Sequence, residues 1–262
     1  GLVTAACRIG GFTGEEHTTS LLLTNGKLPA PRLLLVGAGA KKDRTLLEWQ
    51  HIVGTATRTL QAAKVTRWAL VLPQEFRRAV RMEEIGRTTA KGVLVAAYHF
   101  AQYKSDASAK LPMPEEMVVG PLTAVQSRAF QTGVREGAII GEAMNWMRDF
   151  GNMPSSDATP MFLADQARAI AKTDKRMRCT VLDRAAMEKE GMGALLGVAR
   201  GAAAPPCCIV LEWRGNPKRP NEMFAWVGKA ITFDSGGISL KPGEKMDEMK
   251  FDMSGGAAVL GG

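Results

Sequence analysis

Lys229, Asp234, Lys241 and Asp252 stand close together in FAWVGKAITFDSGGISLKPGEKMDEMKFDMSGGAAVLGG, residues 224 to 262. Two amines and two carboxylates set among glycines are a chemical site, because a generic core does not tolerate that density of charge. The apolar lead FAWVG reads as a buried strand that would hold Lys229 inside and Asp234 at its exit, where loops build active sites. A buried lysine costs several kcal/mol, roughly, unless a carboxylate or a metal compensates it. Lys229 is therefore expected either as half of an ion pair or as a neutral amine on a metal. Ser235 follows Asp234, but FDSGG is not the G-x-S-x-G elbow of a serine hydrolase. His17, His51 and His99 sit in no recognisable triad context, and no HExxH occurs.

The runs VGKAITFDSGGISLKP and MDEMKFDMSGGAAVLG resemble the signature of the leucyl aminopeptidase family, two-metal exopeptidases of the cytosol. Weaker similarity runs upstream, in order, through RDFGNMPSSDATP, AYHFAQYKS and LLLVGAGAKKD. The resemblance implies release of N-terminal residues, leucine-like ones preferred, by two divalent ions, manganese or zinc. It implies that Asp234 ligates both ions and that Asp252 and Lys229 each ligate one. Carboxylates that bridge two cations about 3.5–4 Å apart leave a water between them to be deprotonated. Lys241 resembles the family's catalytic lysine, whose ammonium would stabilise the oxyanion formed on the peptide carbonyl. Met249 resembles a residue lining the pocket for the first side chain of the substrate, a task that suits a flexible thioether. A homo-hexamer acting on peptides in the cytoplasm follows from the same resemblance. Members of that family are nearly twice as long, with a second metal-binding run, Asn-Thr-Asp-Ala-Glu-Gly-Arg, that does not occur here. The sequence therefore reads as a middle piece, cut at both ends and inactive alone.

The elements that must position these residues read as α/β: two α/β domains joined by a long helix, the second incomplete in this sequence. The expected divisions are 1–122 for a non-catalytic first domain, 123–150 for the linking helix and 151–262 for the start of the catalytic domain. In the first, LLLV (33–36) and 68–72 read as strands, 43–63 and 75–98 as helices, and 117–119 as a short strand. Strands alternating with helices argue for layered α/β architecture. GAG after LLLV lacks the third glycine of a dinucleotide fingerprint, since Lys42 stands there, so nucleotide binding is set aside. In the helix over 125–150, Gly133, Gly137 and Gly141 share one face and suggest another backbone packed very close. Thr159-Pro160 reads as an N-cap and first position of a helix over 161–172. The strands 180–182 and 208–213 and the strand bearing Lys229 follow.

Composition excludes little else. The 262 residues are 45% hydrophobic, enough for one sizeable core or two smaller ones. No stretch of 18 apolar residues occurs, so no membrane span is expected. The four cysteines show no CxxC spacing, and the two adjacent in PPCCIVLEW, Cys207 and Cys208, read as small buried strand residues rather than a disulfide. A reducing compartment suits them. The net charge of +8 raises nucleic acid as a partner. Its densest cluster, Arg77, Arg78, Arg81 and Arg87, is interleaved with Glu75, Glu83 and Glu84 as on a solvated helix face. The rival reading is a non-catalytic relative with a DNA-binding or structural role.

Overall fold

Six short strands form three separate two-stranded ladders among the described residues. The structure, a computed structural model, describes residues 1–40, 45–106 and 111–262, and of Arg78 and Ala79 the backbone only. The chain divides into two compact units, Gly1–Asn145 and Trp146–Gly262. The architecture is α/β.

In the first unit a helix, α1 (Leu2–Arg8), precedes the antiparallel pair β1 (Thr19–Leu23) and β2 (Arg32–Val36). β3 (Arg67–Val71) and β4 (Glu116–Gly120) run parallel. A parallel pair needs a long crossover, and here it is α3 (Gln74–Ala79) followed by α4 (Met82–Ala97). α2 (Leu46–Ala62) starts on a capping box in which Thr45 and Glu48 satisfy each other's backbone amides. The expected start at Asp43, like Lys42, lies outside the described residues. The core gathers Trp49 and Val53 of α2, Leu72, Phe76, Ile85, Val93 and Phe130. Burying the Trp49 indole leaves its N–H to satisfy, and it donates to Thr89 Oγ1 at 2.8 Å.

The single helix expected over 75–98 is two. Val80 and Arg81 are extended, with ψ of 148° and 137°, and Glu83 and Glu84 then open a new first turn. Acidic groups there oppose the helix dipole favourably. The arginines of this region are engaged. Arg81 pairs with Glu84 at 2.9 Å, Arg87 pairs with Glu136, and Arg77 donates to the Pro121 carbonyl at 3.2 Å. The Arg78 side chain lies outside the described residues.

The long helix, α5, runs from Ala124 to Asn152. The backbone expected against its glycine face is that of α4. A Cβ on Gly133 would stand 1.8 Å from the Glu83 carbonyl oxygen, and one on Gly137 2.1 Å from that of Arg87. One on Gly141 would meet Leu94 at 2.9 Å. The stripe is occupied inside the chain and carries no argument for assembly. The glycine at 37 has a similar cause, since a Cβ there would lie 1.9 Å from the Glu15 carbonyl oxygen.

The second unit continues with α6 (Pro160–Ala171), β5 (Met177–Leu182), α7 (Arg184–Lys189), α8 (Gly193–Val198) and β6 (Cys208–Trp213). β5 and β6 pair antiparallel, Met177 opposite Trp213 and Leu182 opposite Cys208. Thr159 caps α6 by accepting from the Phe162 amide, with Pro160 at the first position. Phe150 packs edge-on against Trp146 and Phe162, with ring centroids 4.3 and 5.3 Å away. All four cysteines are free, and burial raises the thiol pKa of Cys179 and Cys207. A 3₁₀ helix (Met246–Met253) leads directly into α9 (Ser254–Gly261).

Candidate active site

The strand expected to carry Lys229 does not form. Residues 223–230 have no ladder partner among the described residues, and Phe224, Trp226 and Val227 are exposed. A strand exists only through its ladder, and an apolar run alone does not supply one. Lys229 is accordingly not buried; its side chain is 56% exposed.

What places Lys229 is the start of α9. The Gly256 amide donates to the Lys229 carbonyl at 2.6 Å. The two segments approach closely enough to exclude a side chain at Gly228 on one and Gly256 on the other. A Cβ on Gly228 would lie 2.4 Å from the Gly255 carbonyl oxygen, and one on Gly256 2.5 Å from the Ala230 Cβ. The sequence signal was present in VGK and SGG, small residues flanking the charged ones, but their mutual contact is a tertiary fact.

The 3₁₀ helix then presents the acid. With three residues per turn, positions three apart share a face, so Met246, Met249 and Asp252 line up. All three are partly covered, while Asp247, Glu248 and Phe251 are exposed. Asp252 Oδ1 meets Lys229 Nζ at 2.8 Å. Its Oδ2 is buried and has no hydrogen-bond partner among the described residues.

The second pair is built by the loop 234–241. Asp234 Oδ1 accepts from the Gly236 amide at 2.9 Å, and the Lys241 amide donates to the Ser235 carbonyl at 2.9 Å. Gly236 has φ of +88°, and a Cβ there would lie 2.3 Å from the Ser239 carbonyl oxygen, so this closure requires glycine. Folding the loop back brings Lys241 Nζ to 2.8 Å from Asp234 Oδ2 and 3.1 Å from Met249 Sδ. The Lys241 ammonium holds the Asp234 carboxyl below its ordinary range, helped by the Gly236 amide and by the charges of Lys241 and Lys229. Lys245 is exposed in a left-handed backbone conformation, and Lys250 lies over the Phe251 ring.

The structure thus joins Lys229 to Asp252 and Lys241 to both Asp234 and Met249. Two carboxylates and an amine offer three donors to a metal centre, and an unpartnered buried carboxylate oxygen is a ready ligand atom. They fit part of such a centre. Among the described residues, no group of three His, Cys, Asp or Glu side chains is arranged to hold a metal ion.

The chain as a whole is similar to known proteins. Residues 1–107 match the N-terminal domain of the cytosol aminopeptidase family, and residues 145–262 match that family's catalytic domain. The chain belongs to the cytosol aminopeptidase family. It is 38% identical over its whole length to the probable cytosol aminopeptidase of Nitrosococcus oceani, of which it covers 52%. Its fold is similar to that of BotP, a bottromycin maturation enzyme solved in complex with Mn. The TM-score is 0.78 and the identity 29%, over 98% of this chain and 51% of that one. A mutant tomato leucine aminopeptidase shares the fold at a TM-score of 0.77 and 24% identity, over all of this chain and 48% of that one. The chain spans about half the length of the relatives it matches. No helix among the described residues is long and apolar enough to cross a membrane.

Proposed function

We propose that this chain carries part of the hydrolytic centre of a metal-dependent aminopeptidase, which releases leucine-like residues from the N-termini of peptides. The observation that carries the reading is the paired arrangement of Lys229 with Asp252 and Lys241 with Asp234, with Asp252 Oδ2 unpartnered among the described residues. Family membership supports it, as does the Mn-bound state of BotP. Lys229, Asp234 and Asp252 are the residues that would hold two divalent ions, manganese or zinc. Such ions, when bound, lower the pKa of water and polarise the peptide carbonyl.

The chain's own residues have separable tasks. Asp234 can keep its Gly236 and Lys241 hydrogen bonds and still offer lone pairs, since each carboxylate oxygen has two. The Lys241 ammonium, partly exposed beside that carboxylate, is the group free to meet negative charge developing on a substrate carbonyl. Met249, beside it, lines the pocket for the first side chain. The working protein is taken to be cytoplasmic, in keeping with the names of its relatives, and a homo-hexamer, as the family resemblance implies.

Turnover of leucine p-nitroanilide with millimolar manganese tests the reading. Three donors fall short of the roughly four to six that each divalent ion requires. The verified 262-residue chain should therefore show no turnover, whereas a chain of the relatives' length carrying this stretch should be active. In that longer chain, Lys241→Ala should lower kcat by about 100-fold or more while leaving manganese affinity within a few-fold. A Lys241→Ala enzyme with full kcat would sink the assignment of Lys241.

A further inference from the structure

The Lys241 ammonium has two acceptors, and one of them is not a carboxylate. We propose that Met249 is a positioning residue for Lys241, its thioether sulfur accepting a hydrogen bond that fixes where the ammonium points. This role is distinct from lining a pocket, which asks only for apolar volume. For its catalytic consequence it rests on the role proposed above for Lys241.

The geometry carries the inference from three sides. The backbone of the loop is closed by the bond from the Lys241 amide to the Ser235 carbonyl, so the root of the side chain is fixed. Its far end is held between Asp234 Oδ2 at 2.8 Å and Met249 Sδ at 3.1 Å. Met249 is itself held, because the 3₁₀ helix sets it one turn before Asp252, which is tied to Lys229. The sulfur therefore reports the position of the whole helix to the ammonium. A thioether is a weak acceptor, soft and polarisable. It can orient a cation without neutralising it, whereas a second carboxylate would cancel the charge an oxyanion needs. A flexible lysine side chain with one acceptor can swing about that contact; with two on different elements it cannot.

Pulse acetylation of the 262-residue chain, read by mass spectrometry, tests the contact without requiring activity. Met249→Leu and Met249→Ile keep apolar volume and remove the acceptor, and Met249→Gln restores one. In whichever apolar variant remains folded, Lys241 labelling should rise at least about twofold relative to Lys245 and Lys250. Met249→Gln should bring it back. Unchanged Lys241 labelling in a folded apolar variant, or no recovery with Gln, overturns the proposal. In the active longer chain, Met249→Leu should lower kcat by about 3- to 10-fold with KM within about twofold, and Gln should rescue it. A raised KM with kcat intact would assign Met249 to the pocket alone. Absence of all activity in the longer chain would refute the aminopeptidase reading while leaving the labelling result to decide this one.

Discussion

Asp252 and Asp234 each face a lysine at 2.8 Å, yet the two pairs are not equivalent. Asp234 is 35% exposed and keeps a backbone donor, the Gly236 amide, if its lysine is lost. Asp252 is 21% exposed, and one of its oxygens already lacks a donor among the described residues. Removing Lys229 would strip the other. A buried acceptor left unsatisfied costs about 1–3 kcal/mol, reduced here because the Lys229 side chain is more than half exposed. Lys229→Ala should therefore destabilise the second unit by about 1–2 kcal/mol, and Lys241→Ala should do so less. Urea midpoints of the two variants measured side by side check this; equal midpoints would contradict it. The density of these four charges in the sequence marks them as candidates for one site, and each carboxylate does meet a lysine. Their pairing was not. It depends on the three-residue repeat of a helix with no apolar periodicity to announce it.

At the scale of elements, the long helix and its glycine face could be read in advance, because three glycines four apart have few other uses. The split between α3 and α4 could not, since both halves keep helical spacing and only the extended backbone at Val80 and Arg81 parts them. The run FAWVG departs from its expected strand for the opposite reason. Apolar content marks a segment that can be a strand, but ladder partners make it one, and none of the described residues pairs with it. The glycine face also gives a sharp expectation. Gly133→Ala would drive a methyl group into the Glu83 carbonyl oxygen and push α4 from α5, an overpacking cost of about 1–3 kcal/mol or more. At Gly197, inside α8, a Cβ would meet nothing within 4 Å among the described residues beyond its chain neighbours and its own helix backbone. Gly197→Ala should instead stabilise by about 0.4–1 kcal/mol, by restricting the unfolded chain. Thermal unfolding of both variants should move in opposite directions.

Taken whole, the molecule exposes an unusual stretch of large apolar side chains between Met223 and Leu240. Phe224 is 97% exposed, Val227 94% and Ile238 108%. Extended backbone with unpaired hydrogen-bonding groups and apolar side chains is a template for pairing with another chain. The 262-residue protein should therefore associate as its concentration rises, and the double variant Phe224→Ser, Val227→Ser should sediment as a smaller species at equal concentration. Identical sedimentation of the two would show that this stretch is not the sticky surface. Within the same unit, the amide of Gly256 grips the carbonyl of Lys229, and that grip sets where insertions can be tolerated. Lys229 and Asp252 are held in register by the first turn of α9, not by the chain that connects them. The exposed turn around Gly243 and Glu244 can thus be lengthened without parting the amine from its acid. One residue added between Met249 and Asp252 would instead rotate Asp252 by about a third of a turn relative to Met249, and the acid and the thioether could no longer serve neighbouring lysines together.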